Sequence, residues 1–175
     1  MSSIQLAFHL SVPLIFAGVL HMVIVKADFF PSLRRPVHLQ TFGTNKTWRG
    51  MIAMPVLTAT GFVLTRSLPP FSNLSLHSLL GVGLGVGLAY VLAELPNSAL
   101  KRKLGIKPGK LPENQKAIFV LLDQSDSVVG CCLAYAWFMP EIPAAALVWC
   151  ALLSPGIHLA LNLALYFAGL RKNPV

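Results

Sequence analysis

Two aspartates, Asp123 and Asp126, stand three positions apart in the stretch LLDQSDSVVG, with IFV before them and the apolar run CCLAYAWF after them. On a helix, positions three apart share a face, so the two carboxylates point the same way. Adjacent carboxylates repel and a charge inside a membrane span is costly, so such a pair persists only beside a counter-charge or a cation. A structural reading pairs Asp126 with a lysine reaching from the helix end, Lys116 or Lys101. A chemical reading gives both carboxylates to one hard divalent cation such as Mg2+, which takes one or two carboxylates and completes its shell with water and phosphate oxygens. That completion implies a phosphorylated substrate.

The elements that must position this pair are membrane helices. Of 175 residues 55% are hydrophobic and only 11% charged, too apolar a mixture for one soluble core with an ordinary surface. The chain therefore reads as an all-α integral membrane protein. A bilayer core needs about 20 mostly apolar residues per helix, and five stretches qualify as transmembrane helices: Ile4 to Val25, Met51 to Ser67, Leu76 to Leu95, Ala117 to Phe138 and Ala144 to Ala168. The first lacks a basic leader and a small-residue cleavage site, and is read as a span and not a removable signal peptide. With no repeat or low-complexity tract, residues 1–175 are expected to form a single membrane-embedded domain.

Charge orients the spans, because Lys and Arg in short loops stay on the cytoplasmic side. Of the 14 basic residues, all but Arg66 fall between spans one and two, between spans three and four, or in the tail, which includes Arg171 and Lys172. The expectation is a multi-pass protein of the cell's inner (plasma) membrane with the N-terminus outside and the C-terminus cytoplasmic. The two basic cytoplasmic loops carry FGTNKTWRG, Phe42 to Gly50, and ELPNSALKRKLGIKPGKLPEN, Glu94 to Asn114. Each mixes Gly, Pro and small polar residues with Lys and Arg, a composition able to fold round phosphates and neutralise them. Neither is a P-loop, since GxxxxGK[ST] is absent. Basic loops alone follow from topology and anionic headgroups; beside a carboxylate pair at the same face they point to phosphoryl or nucleotidyl transfer to a lipid. The bilayer is a partner in that reading and nucleic acid is not.

FGTNKTWRG, ELPNSALKRKLGIKPG and LLDQSDSVVG, in that order and spacing, resemble the CDP-archaeol synthase family, compact relatives of the CDP-diacylglycerol synthases. The motifs cover about residues 40–135. The resemblance implies a CTP-dependent cytidylyltransferase: CTP and a membrane lipid phosphate, archaetidic-acid-like or phosphatidic-acid-like, give a CDP-lipid and pyrophosphate, with Mg2+ as cofactor. Lys46, Thr47, Arg49 and Gly50 match the family's KTxRG string, Asn45 precedes it, Ser98, Lys101 and Arg102 match SxxKR, and Asp123, Gln124 and Asp126 match DQxD. By that likeness Asp123, Asp126, Lys101 and Arg102 are expected to be catalytic, Asn45, Lys46, Thr47, Arg49, Ser98 and Gln124 to bind substrate, and Asp123, Asp126 and Glu94 to hold metal. The sequence departs from the family pattern at Ala93 and Glu94, where members tend to carry Gly-Asp, and in a longer insert, KLPENQKAIFVL, after Gly109. These departures bear on the lipid more than on the reaction.

Other features have plainer readings. GVGLGVG, Gly81 to Gly87, lies in an apolar span with no preceding strand, so close helix packing is expected and not dinucleotide binding. Cys131, Cys132 and Cys150 form no CxxC pair and are expected to be packed thiols. His9, His21, His77 and His158 are scattered on no shared motif. Asn162 is expected to hydrogen bond between helices, and Trp48 to anchor its helix at the headgroups. A small transporter or channel with a structural acid pair is the alternative class, although the charges cluster at one face and trace no path across. Oligomeric state is open, a homo-oligomer included.

Overall fold

In the computed structural model, residues 1–110 and 116–171 are described, and they are helical with no strands. Residues 111–115 of the long insert and the tail from Lys172 lie outside them. Six α-helices follow in order: α1 Ser3–Lys26, α2 Leu39–Phe42, α3 Trp48–Leu64, α4 Leu76–Lys103, α5 Lys116–Phe138 and α6 Ala144–Phe167. Short polar residues begin three of the long ones. Ser2 and Gln5 form a reciprocal capping box on α1, Thr47 accepts from Gly50 N at 3.3 Å to start α3, and Ser75 accepts from Ser78 N at 3.1 Å to start α4.

Four helices, α1, α4, α5 and α6, are long and apolar enough to cross a membrane. The remaining expected span is α3, with 17 residues. At 1.5 Å per residue it extends about 25 Å, near the lower limit for a hydrocarbon core of about 30 Å. It stops at Leu64 and not Ser67, where the Thr65 hydroxyl turns back onto Gly61 O at 2.7 Å ahead of two prolines.

The second basic segment differs from its expectation as a loop beginning at Glu94. Residues through Lys103 continue α4, so Glu94, Ser98, Lys101 and Arg102 are mounted on a helix. Pro96 removes one rung of the ladder, but Ala, Leu, Lys and Arg favour helix, and the three basic residues of the last turn complement the negative end of the macrodipole.

The five long helices close into a ring, in the order α1, α3, α4, α5, α6 and back to α1. Glycine permits the tightest contact. A Cβ on Gly87 would fall 2.6 Å from Pro55 Cα, and Gly83 meets the Ala59 backbone, so the GVGLGVG segment packs α4 onto α3. Leu80, Leu84, Leu88 and Leu92 form the opposite, exposed stripe of α4, which suits lipid. One end of the ring is filled by Leu10, Phe62, Phe71, Leu79, Tyr135 and Met139, and Tyr135 Oη donates to Leu10 O at 2.6 Å. The other end is hollow. Pro13, Pro55, Pro96 and Pro155 interrupt α1, α3, α4 and α6, whereas α5 has no proline.

Between α1 and α3 the first basic loop is itself folded. Val37 N donates to Lys46 O at 2.8 Å and Trp48 N to Arg35 O at 3.1 Å, around an antiparallel bridge between Pro36 and Thr47. These bonds hold FGTNKTWRG over the hollow end, and Trp48 is exposed at the start of α3.

Candidate functional site

A cavity of about 530 Å³ occupies the hollow end. Glu94, Asn97, Ser98 and Lys101 line it from one face of α4, and Asp123, Gln124 and Asp126 from α5. The first loop adds Asn45, Lys46 and Thr47, and Arg102 completes its cationic rim. Leu14, Ile15, Met22, Met54, Ile157 and Leu161 make the deeper wall apolar.

The two aspartates converge through Asn97. Its Nδ2 donates to Asp123 Oδ1 at 2.7 Å and to Asp126 Oδ2 at 2.9 Å, so one amide nitrogen spans both carboxylates. Lys101 forms an ion pair with Asp123. Asp126 accepts instead from its neighbour's backbone, Ser127 N, at 2.6 Å. The ion pair expected at Asp126 is found at Asp123 instead, with Lys101, and among the described residues Asp126 meets no lysine. Lys46 pairs with Glu94, tying the first loop to α4; the longer glutamate side chain spans that gap.

Among the described residues, several buried polar atoms have no protein partner: Asn97 Oδ1, Arg102 Nε and Arg102 Nη1. A buried polar atom without a hydrogen bond is costly, and these three belong to residues that line the cavity. Gly43 allows the loop to approach Arg102. Its φ is +81°, and a Cβ there would lie 2.8 Å from Pro108 and 3.2 Å from Arg102 Nη1.

Not every expected residue faces the cavity. Arg49 is buried and turned onto Asp28 Oδ1 at 2.8 Å and Phe29 O at 3.1 Å. It lines a second, smaller pocket of about 340 Å³ with Arg34 and His21, and His21 lines both pockets. Thr47, expected to bind substrate, lines the cavity but uses its hydroxyl to cap α3. Ser98 lines the cavity. Gln124 is buried and accepts from Asn162 Nδ2 at 3.4 Å, which places Asn162 between helices as expected. Sequence reasoning missed Asn97, although Glu94, Asn97, Ser98 and Lys101 follow the spacing of one helix face. It gave His21, His158 and Arg171 no role at the site, yet all three line the cavity.

A family profile described as CarS-like, CDP-archaeol synthase, matches residues 38–175. The CDP-archaeol synthase of Methanoculleus marisnigri is 30% identical over 150 residues, covering 77% of this chain and 81% of that protein. The chain belongs to the CDP-archaeol synthase family. The Haloarcula marismortui synthase is 33% identical over 124 residues, covering 68% of this chain and 61% of that protein, and the Methanosarcina mazei synthase is 28% identical over 149 residues, covering 75% and 81%. No solved structure matches the chain. Membership of the CDP-archaeol synthase family makes this a nucleotidyltransferase-type enzyme of lipid biosynthesis, against the transporter alternative. Three of its sequence strings, KTWRG, SALKR and DQSD, meet at the hollow end.

Proposed function

We propose that this protein transfers a cytidylyl group from CTP to an isoprenoid-ether lipid phosphate, forming a CDP-lipid and pyrophosphate. The observation that carries the reading is a single cavity with a cationic, carboxylate-bearing mouth and an apolar wall, in a chain whose relatives are named for the product CDP-archaeol. The headgroup chemistry fits the mouth and the tails fit the wall and the surrounding bilayer.

In the step proposed, a phosphate monoester oxygen of the lipid attacks the α-phosphorus of CTP in line, the bond to the bridging oxygen breaks, and the electron pair leaves with pyrophosphate. Lys101 and Arg102 on α4 and Lys46 on the loop neutralise the phosphates and hold them together. Arg102 is suited to this because two of its guanidinium nitrogens meet no protein partner among the described residues. Asn45 and Ser98 line the same space as further polar contacts, and Thr47 supports the loop by capping α3. Arg49 fixes the loop's approach through Asp28.

Mg2+ fits this site by its donors. Among the described residues no three His, Cys, Asp or Glu side chains form a ready-made metal cluster. The set on offer is Asp123 and Asp126, both hard-oxygen donors, with Glu94 nearby on α4; Asn97 would add its Oδ1 on turning its amide over. Such a set leaves coordination positions for water and phosphate oxygens, as Mg2+ prefers. When bound, the ion supplies charge neutralisation on the phosphate oxygens during transfer. With Asp123 given to the ion, Lys101 would be free to contact a phosphate.

Residues 1–175 form one domain in this reading, in the plasma membrane with the basic end cytoplasmic. All the named groups come from one chain, so a homo-oligomer is not required for the site. The test is incubation of membranes containing the protein with labelled CTP and either an ether or an ester lipid phosphate, followed by mass spectrometry of the lipid. Labelled CDP-lipid from the ether substrate is expected, in excess of that from the ester. No labelled lipid from either would sink the reading.

A further inference from the structure

Behind Gln124 a hydrogen-bonded chain runs across α6. Arg171 Nη1 donates to Asn162 Oδ1, Asn162 Nδ2 donates to Gln124 Oε1 at 3.4 Å, and His158 Nδ1 meets the same Oε1 at 3.1 Å. His158 Nε2 meets Tyr90 Oη at 3.3 Å. Amide orientations in such a chain are decided by the network, and one member here has no choice. A guanidinium can only donate. Arg171 therefore obliges Asn162 to accept through Oδ1 and to donate through Nδ2, which obliges Gln124 to accept through Oε1. His158 must then carry its proton on Nδ1 and accept from the Tyr90 hydroxyl.

The consequence falls on Gln124 Nε2. Gln124 lines the cavity beside Asp123, and among the described residues Nε2 meets no protein acceptor. We infer that Arg171, Asn162 and His158 are positioning residues that fix the amide of Gln124 so that its N–H pair donates to a phosphoryl oxygen of the substrate. The acceptor belongs to either the nucleotide or the lipid phosphate. The inference rests on the cytidylyltransferase reading of the cavity, and adds a polarised support that the motif strings do not contain.

Asn162→Asp tests it, because a carboxylate still accepts from Arg171 but no longer donates to Gln124. The amide of Gln124 must then turn over, donate towards the introduced carboxylate and present its oxygen to the cavity. The expected result is a KM raised about tenfold, the equivalent of one hydrogen bond of about 1.4 kcal/mol, with an unchanged melting temperature in detergent. A rise for CTP assigns the acceptor to the nucleotide, and a rise for the lipid phosphate assigns it to the lipid. In a Gln124→Met background, Asn162→Asp should add no further loss, whereas a through-space effect of the new charge would persist there. Arg171→Lys, which keeps an obligate donor, should retain most of the affinity that Arg171→Met loses; this pair reads the same relay if Asn162→Asp does not fold. Unchanged KM values for both substrates, or losses that add in the double variant, would overturn the inference. Inorganic pyrophosphate supplies the comparison without turnover: it should raise the melting temperature of the wild type more than that of Asn162→Asp. Equal stabilisation together with an unchanged KM for the lipid phosphate overturns the relay, while absence of CDP-lipid from the wild type overturns only the reaction.

Discussion

Asn97 gives Asp123 and Asp126 a common orientation, and the two carboxylates then differ in what else they touch. Asp123 is neutralised by Lys101, while Asp126 has an amide and a backbone N–H. Substitution by asparagine should separate the two roles. Asp126→Asn removes no ion pair, so its melting temperature should hold while turnover at low Mg2+ falls by about 100-fold and recovers in part with more Mg2+. Normal turnover at low Mg2+ would remove Asp126 from the metal site. Asp123→Asn strands the Lys101 ammonium, so both quantities should fall. Arg49 leads to a different expectation. Its guanidinium is buried against Asp28 and Phe29, so Arg49→Ala should lower stability by about 1–2 kcal/mol, a modest figure because Asp28 is half-exposed. Chemical denaturation in mild detergent measures this; intact stability with a raised KM for CTP would put Arg49 in the nucleotide site instead. The acid pair was legible because a spacing of three is local helix geometry. Asn97 was not, since its contact with Asp123 crosses 26 positions between two helices, and the direction of Arg49 is set by a partner 21 positions earlier.

At the scale of elements, α4 and α5 must stay close for this geometry to exist, and Gly130 sets how close. A Cβ there would lie 2.6 Å from Ala89 O and 2.6 Å from Ala93 Cβ. Gly130 is one turn from Asp126 and Ala93 one turn from Asn97, so the displacement would be delivered to the site. Gly130→Ala should cost about 1–3 kcal/mol in stability and lower single-turnover rates by about 10–100-fold through misplacement of the acids. Gly81→Ala is the control, because nothing lies within 4 Å of a Cβ there, and its rate should match the wild type. Equal rates in both variants would show that the spacing of α4 and α5 is not critical. Apolar runs revealed where the long helices lie, and small residues in GVGLGVG revealed a packed face. What they concealed was the extension of α4 past Pro96, because hydropathy falls where Lys and Arg begin although helix propensity does not.

For the whole molecule, the ring and its charge asymmetry make a topological statement. If α3 crosses with the four longer helices, the chain's two ends lie on opposite sides, the C-terminus with the basic end. A reporter fused after Val175 should then be cytoplasmic and one fused before Met1 exported. Finding both on one side would leave α3 short of a full crossing. The prolines carry a mechanical consequence for this ring. Each one deletes a rung and so lowers the resistance of its helix to bending, and they are distributed over α1, α3, α4 and α6. Only α5, among the five, keeps every rung. The two acids are thus mounted on the one unbroken mast of the ring, and the four staves around it are the more compliant members.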